Sequence, residues 1–133
     1  MFEKDYLMRL LQTLLDAINN IINSINKKDI EGAKKQINDI FRLLGDTEEY
    51  FLNTDYEELI AFFKLKDGNY LESVQLLAEL LYLDFTIEKD DHRRKSKIIK
   101  SQKLFKHYIE YSKEYSFEIN KKLILINKEL DKL

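Results

Sequence analysis

The chain has 133 residues with no cysteine, no proline and three glycines. That suits one domain with a core of its own, and it excludes a disulfide framework and thiolate chemistry. Lysine and arginine number 22 against 24 acids, a net charge of -2, so no overall field draws the chain to nucleic acid or to an anionic membrane.

The opening MFEKDYLMRLLQTLLDAINNIINSI is apolar but interrupted by Glu3, Asp5, Arg9, Asp16, Asn19 and Asn20. It therefore reads neither as a signal peptide nor as a spanning helix, which needs about 20 mostly apolar residues. A soluble protein without a membrane role is expected, in the reducing cytoplasm by default. Within that opening, Leu7, Leu10, Leu11, Leu14, Ile18, Ile21 and Ile25 recur at helical steps, with Leu15 and Ile22 widening the stripe, which predicts an amphipathic helix.

Asn26-Lys27-Lys28-Asp29 breaks the pattern, and Asp29 suits an N-cap. A second helix is predicted with Ile30, Ala33, Ile37, Ile40, Phe41 and Leu44 inward and Gly45 at its C′ position. The two form an antiparallel hairpin over 4–45. Asp46-Thr47-Glu48-Glu49 starts a brief helical turn ending near Leu52, and Thr54 to Glu57 has capping-box spacing. The third helix presents Tyr56, Leu59, Ile60, Phe63 and Phe62, and ends at Asp67-Gly68. Asn69 caps a fourth, with Tyr70, Val74, Leu77, Leu80 and Leu81 inward, packed back on the third as a hairpin over 54–86.

The apolar pattern lapses in TIEKDDHRRKSK with no glycine or proline to mark a turn, which places a connection near Glu88 to His92, with a bend inside one very long helix as the alternative. Beyond it, Ile98, Phe105, Tyr108, Tyr115, Ile119, Leu123, Ile126 and Leu130 mark one long C-terminal helix over 92–131, on the order of 50 Å from Ile98 at about 1.5 Å per residue. Such a stripe needs either both hairpins or a second chain to cover it. The expected fold is all-α, with about five helices.

Two resemblances bear on this. KDGNYLESVQLLAELLYLDF is similar to the second helix of tetratricopeptide repeats, with Gly68, Tyr70, Ser73 and Leu77 in the motif places and Ala61 as the small residue of the preceding helix. KDIEGAKKQINDIFRLLG repeats the logic through Ile30, Ala33 and Ile37, but Ala33 and Ser73 stand 40 residues apart against about 34 in that family. The opening FEKDYLMRLL, through Phe2, Asp5, Tyr6 and Arg9, resembles a family of small, uncharacterised bacterial all-helical proteins. That likeness implies a fold and brings no activity with it.

Catalytic sets are missing. The two histidines are His92 and His107. His107 and Glu110 have the i, i+3 spacing of helical carboxylate metal sites, but those sites need the pair twice, so a solvated His beside a solvated Glu is expected. There is no phosphate loop, dinucleotide turn or calcium loop, and no cofactor is implied. The concentrated charge feature is Arg93, Arg94, Lys95, Lys97, Lys100 and Lys103, following Glu88, Asp90 and Asp91. These cations suit either a solvated helix start paired with its acids or, less readily, phosphate neutralisation on nucleic acid. The leading expectation is a non-enzymatic helical module that holds a protein partner or a second copy of itself through the long C-terminal helix. The alternative is a nucleic-acid-associated protein acting through 93–103.

Overall fold

The structure is a computed structural model; it describes residues 2–66, 70–113 and 116–133, without the side chains of 2–8, 10 and 11. It is all-helical, with seven helices among the described residues: α1 (Phe2–Asn26), α2 (Ile30–Leu44), α3 (Glu48–Asn53), α4 (Tyr56–Lys66), α5 (Tyr70–Ile87), α6 (Asp91–Ser112) and α7 (Phe117–Lys132). None of them is long and apolar enough to cross a membrane.

Local chemistry sets most of the boundaries. Asp29 caps α2, its carboxylate accepting from the Gly32 amide at 3.0 Å. At the end of α2 the Gly45 amide donates to the Arg42 carbonyl and the Asp46 amide to that of Phe41, closing the helix with Gly45 at φ 126. The α1 terminus has the same pattern, Lys28 to Ile25 and Asp29 to Ser24, but there a lysine occupies the left-handed position with φ 64. Thr47 caps α3 through the Tyr50 amide. Thr54 does not cap α4 as its spacing predicts; it closes α3, donating its amide to Tyr50. The predicted stop at Asp67-Gly68 and cap at Asn69 lie outside the described residues.

Helix α5 is the hub. Its buried residues lie all round it, including Val74, Leu76, Leu77, Leu80, Leu81, Leu83 and Phe85, because α1, α2, α4 and α6 all pack on it. Its most extensive partner is α6 rather than α4. Close approach there is permitted by Ala78 and Ser101, whose hydroxyl donates to the Ala78 carbonyl at 2.8 Å. The α1–α2 hairpin covers another side of α5, with Ala33 fully buried.

The six residues of α3 are too few to hold a helix alone. Phe51 anchors them, stacked between Phe41 and Phe63 with centroids 5.9 and 6.0 Å away. A sequence count of about five helices omits this turn as a separate element.

The long C-terminal helix over 92–131 is corrected to two helices. Lys113, in the left-handed region at φ 60, ends α6, and Ser116 caps α7 by accepting from the Ile119 amide at 3.2 Å. The chain then folds back, so that Ile119 and Ile126 are buried and Gln102 of α6 bonds Asn127 of α7 at 2.6 Å. A continuous helix would have carried these isoleucines beyond the domain; the break buries them within it.

Ile30, expected inward, is 39% exposed. Leu15, Ile22 and the Ala61 of the repeat-like motif are also exposed, whereas Ser73 and Leu77 are buried.

Candidate functional site

The basic segment folds inward. Lys97 and Ser101 share the face of α6 that carries Leu104 and Phe105, so the Lys97 ammonium is delivered into the interior at zero exposure. There it meets three carboxylates from three elements: Glu88 of the α5–α6 connection at 2.7 Å, Glu48 of α3 at 2.8 Å and Asp84 of α5 at 2.9 Å. Lys34 of α2 lies 2.9 Å from both Glu48 and Asp84. Lys34, Glu48, Lys97 and Asp84 thus form a closed ring of alternating charge. Arg93 extends it, reaching Glu49 at 2.9 Å and Glu88 at 3.2 Å.

Electrostatics follow from burial. Asp84, more deeply buried than Glu48 or Glu88, is pushed up to about 6 by desolvation and by the facing Glu48, against the pull of Lys34 and Lys97. Burial also penalises Glu48, but its bonds to Asp84, Lys34 and Lys97 outweigh that and hold it well below the usual carboxylate range. Glu88 falls to about 2, where the Lys97 bond and the Asp90 amide overcome desolvation. Lys97 is raised despite its burial, because three carboxylates face it.

Lys100 turns inward elsewhere. Its ammonium donates to the carbonyls of Phe51 at 3.0 Å, Leu52 at 2.7 Å and Thr54 at 2.5 Å, supplying the cation that the C-terminal end of α3 favours. Desolvation lowers its pKa. Arg94 lies 4.4 Å over the Phe85 ring and donates to the Glu88 carbonyl. Lys95 and Lys103 are exposed. Of the six cations, then, Arg93, Lys97 and Lys100 serve the fold's own acids and carbonyls, Arg94 is half-buried on an aromatic ring, and Lys95 and Lys103 face solvent.

The other predicted pair is corrected in part. His107 is buried, not solvated, with the Tyr56 hydroxyl at its Nδ1, the Tyr70 hydroxyl 3.3 Å from its Nε2, and the Tyr111 ring 4.4 Å away. Glu110 is exposed. Desolvation, aided by Lys64, lowers the His107 pKa, favouring the neutral ring that bridges α4 and α5. A shallow depression beside α6 runs from Ile99 past Tyr56 and Lys103 to Lys106 and Glu110. Among the described residues no group of three or more His, Cys, Asp or Glu is disposed to hold a metal ion.

The ring escaped sequence reasoning although its signals were present. Asp84 falls on the stripe of Leu77, Leu80 and Leu81, a charge where an apolar residue is due, and Lys97 falls likewise on the stripe of Leu104 and Phe105. Charged residues on a buried stripe are paired or excluded, so each announced a partner without saying which. Comparison with known proteins gave no match: no family model, no curated protein and no solved structure aligns significantly with the chain.

Proposed function

We propose that the chain is a non-enzymatic helical interaction module of the cytoplasm that engages a protein partner or a second copy of itself and works without a cofactor. The observation that carries this reading is the two-sided apolarity of α7. Ile119 and Ile126 are buried against the domain, while Phe117 and Ile124 on the opposite side are 64% and 57% exposed, with Leu125 beside them. A helix that spends apolar side chains on water has a use for them. Lys121 and Lys128 flank Ile124 on that side, giving the mixed rim of a reversible interface. Helix pairing of the tetratricopeptide kind, with Ala33 and Ser73 as its small buried residues, belongs to the same reading.

It is placed ahead of nucleic-acid binding because Arg93, Lys97 and Lys100 are engaged within the fold and are not free to neutralise phosphates. The test combines light scattering over a concentration series with a photo-crosslinking side chain at Ile124 and, as control, at exposed Lys35. Concentration-dependent dimer, or an adduct specific to the Ile124 position, is expected. A strict monomer whose two positions crosslink alike would overturn the reading.

A further inference from the structure

The ring of Lys34, Glu48, Lys97 and Asp84 is uneven in a way that suggests a moving part. Lys97 and Asp84 are sealed, their side chains 0% and 1% exposed, whereas Lys34 is 35% exposed. Lys97 has a third acid, Glu88. Lys34 has no ion-pair partner beyond Glu48 and Asp84 among the described residues. These two pairs are also the only salt bridges joining the α1–α2 hairpin to the remainder of the described chain. One oxygen of the ring is poorly served: Asp84 Oδ2 is buried and accepts no well-directed hydrogen bond, although the Lys97 ammonium lies 2.9 Å away.

With both carboxylates ionised, Lys34 and Lys97 share two negative charges, and Lys97 has that of Glu88 besides. One proton from solvent leaves Glu48 and Asp84 a single charge for which the two lysines compete. Lys97 cannot leave, being buried and bound to Glu88, so the relief falls on Lys34. A cavity lined by Ile30, Lys34, Asp84, Ile87, Glu88 and Lys89 gives it a way out.

We propose that the ring is a proton-operated latch: when the facing Glu48 and Asp84 carboxyls take up one proton between them, Lys34 is released to solvent, loosening α2 from α3 and α5. The charged groups around Asp84 are Lys34 from α2, Glu48 from α3, Glu88 and Lys89 from the connection, and Lys97 from α6, with Arg93 of α6 beyond them on Glu48 and Glu88. Among the described residues α1 and α4 place none within ion-pair distance. Desolvation supports the proton's destination, since it raises Asp84 to about 6. The stack of Phe41, Phe51 and Phe63 still joins α2 to α3 and α4 without any of these bonds, so release loosens one edge and does not unfold the domain.

The test is a carbon and nitrogen NMR titration of the full chain from pH 8 to 4.5. The Asp84 carboxyl is expected to titrate above the ordinary range, near neutrality's acid side. Exchange of the Lys34 ammonium protons should quicken by at least about tenfold relative to an exposed lysine control at that same midpoint, as loss of a charge-assisted bond requires. In Asp84→Asn the Lys34 step should vanish, with fast exchange throughout. As a second variant, Lys34→Gln removes one cation from the ring and should raise the Asp84 midpoint by about one unit. An Asp84 carboxyl titrating near 4, or a Lys34 signal indifferent to the Asp84 midpoint, would overturn the latch.

Discussion

Lys97 Nζ lies 2.9 Å from Asp84 Oδ2, and neither side chain is more than 1% exposed. A buried pair of this kind is hard to break and easy to replace, because losing one member strands the other's charge in a medium that cannot solvate it. Lys97→Met is expected to cost about 3–5 kcal/mol, measured by urea unfolding. Adding Asp84→Leu should recover part of that loss. A fully additive double variant would show that the two charges do not act as a unit.

Stability should depend on pH with two opposing limbs. Asp84 sits at about 6 in the fold against an ordinary 3.8, so the folded chain takes up this proton first and its contribution grows as pH falls through 6. Glu88, at about 2 against 4.5, acts in the other sense: its contribution is present above 4.5 and is lost as pH falls toward 2. Glu48 acts in the same sense as Glu88. Thermal melts should therefore hold or rise slightly between pH 7 and roughly 5, then fall below about 4. Asp84→Asn should remove the rise and keep the fall.

The turns at Lys28 and Gly45 share one hydrogen-bond pattern but differ in residue. A side chain in the left-handed region costs roughly 1–2 kcal/mol, which glycine avoids at some entropic expense. Lys28→Gly should stabilise by up to about 1 kcal/mol. Gly45→Ala should destabilise by about 1 kcal/mol or more, since φ 126 strains any L side chain and an added Cβ would also press on the Phe62 ring at 2.9 Å. Chemical denaturation of both variants checks the opposite signs.

Lys100 holds three carbonyls at the end of α3. Replacing it with methionine keeps the stem and removes the donor, at an expected cost of about 1–3 kcal/mol. Hydrogen exchange should accelerate in Glu48–Asn53 before it does so in α5.

Charge reversal separates the surface cations from the internal ones. Lys95→Glu and Lys103→Glu, both exposed, should leave stability within about 0.5 kcal/mol, while Arg93→Glu should destabilise clearly by opposing Glu49 and Glu88. Titration with a DNA duplex at low salt is expected to show no steeply salt-dependent binding by the unaltered chain. Binding that weakens strongly with salt and is lost on reversing Lys95 and Lys103 would return nucleic acid to first place.

Sequence by itself determined the features that local physics decides. The recurrence of apolar residues every three or four positions made the chain all-helical, Asp29 and the run Asp46-Thr47-Glu48-Glu49 marked helix starts, Gly45 marked an end, and the lapse from Thr86 marked the place where α5 gives way to α6, as a connection or a bend. These depend on residues within a turn of one another, so one strand of text contains them.

Tertiary structure alone decided the break at Lys113, the inward course of Lys97 and Lys100, and the burial of His107. Each rests on groups far apart in the chain. Burial of Ile119 and Ile126 favours a fold-back that no glycine or proline announces. The same lysine is a solvated surface charge or a buried one according to whether Glu48, Asp84 and Glu88 converge on it. Helical period places a side chain on a face; what that face meets depends on the energy of bringing distant segments together, and spacing along the chain does not encode it.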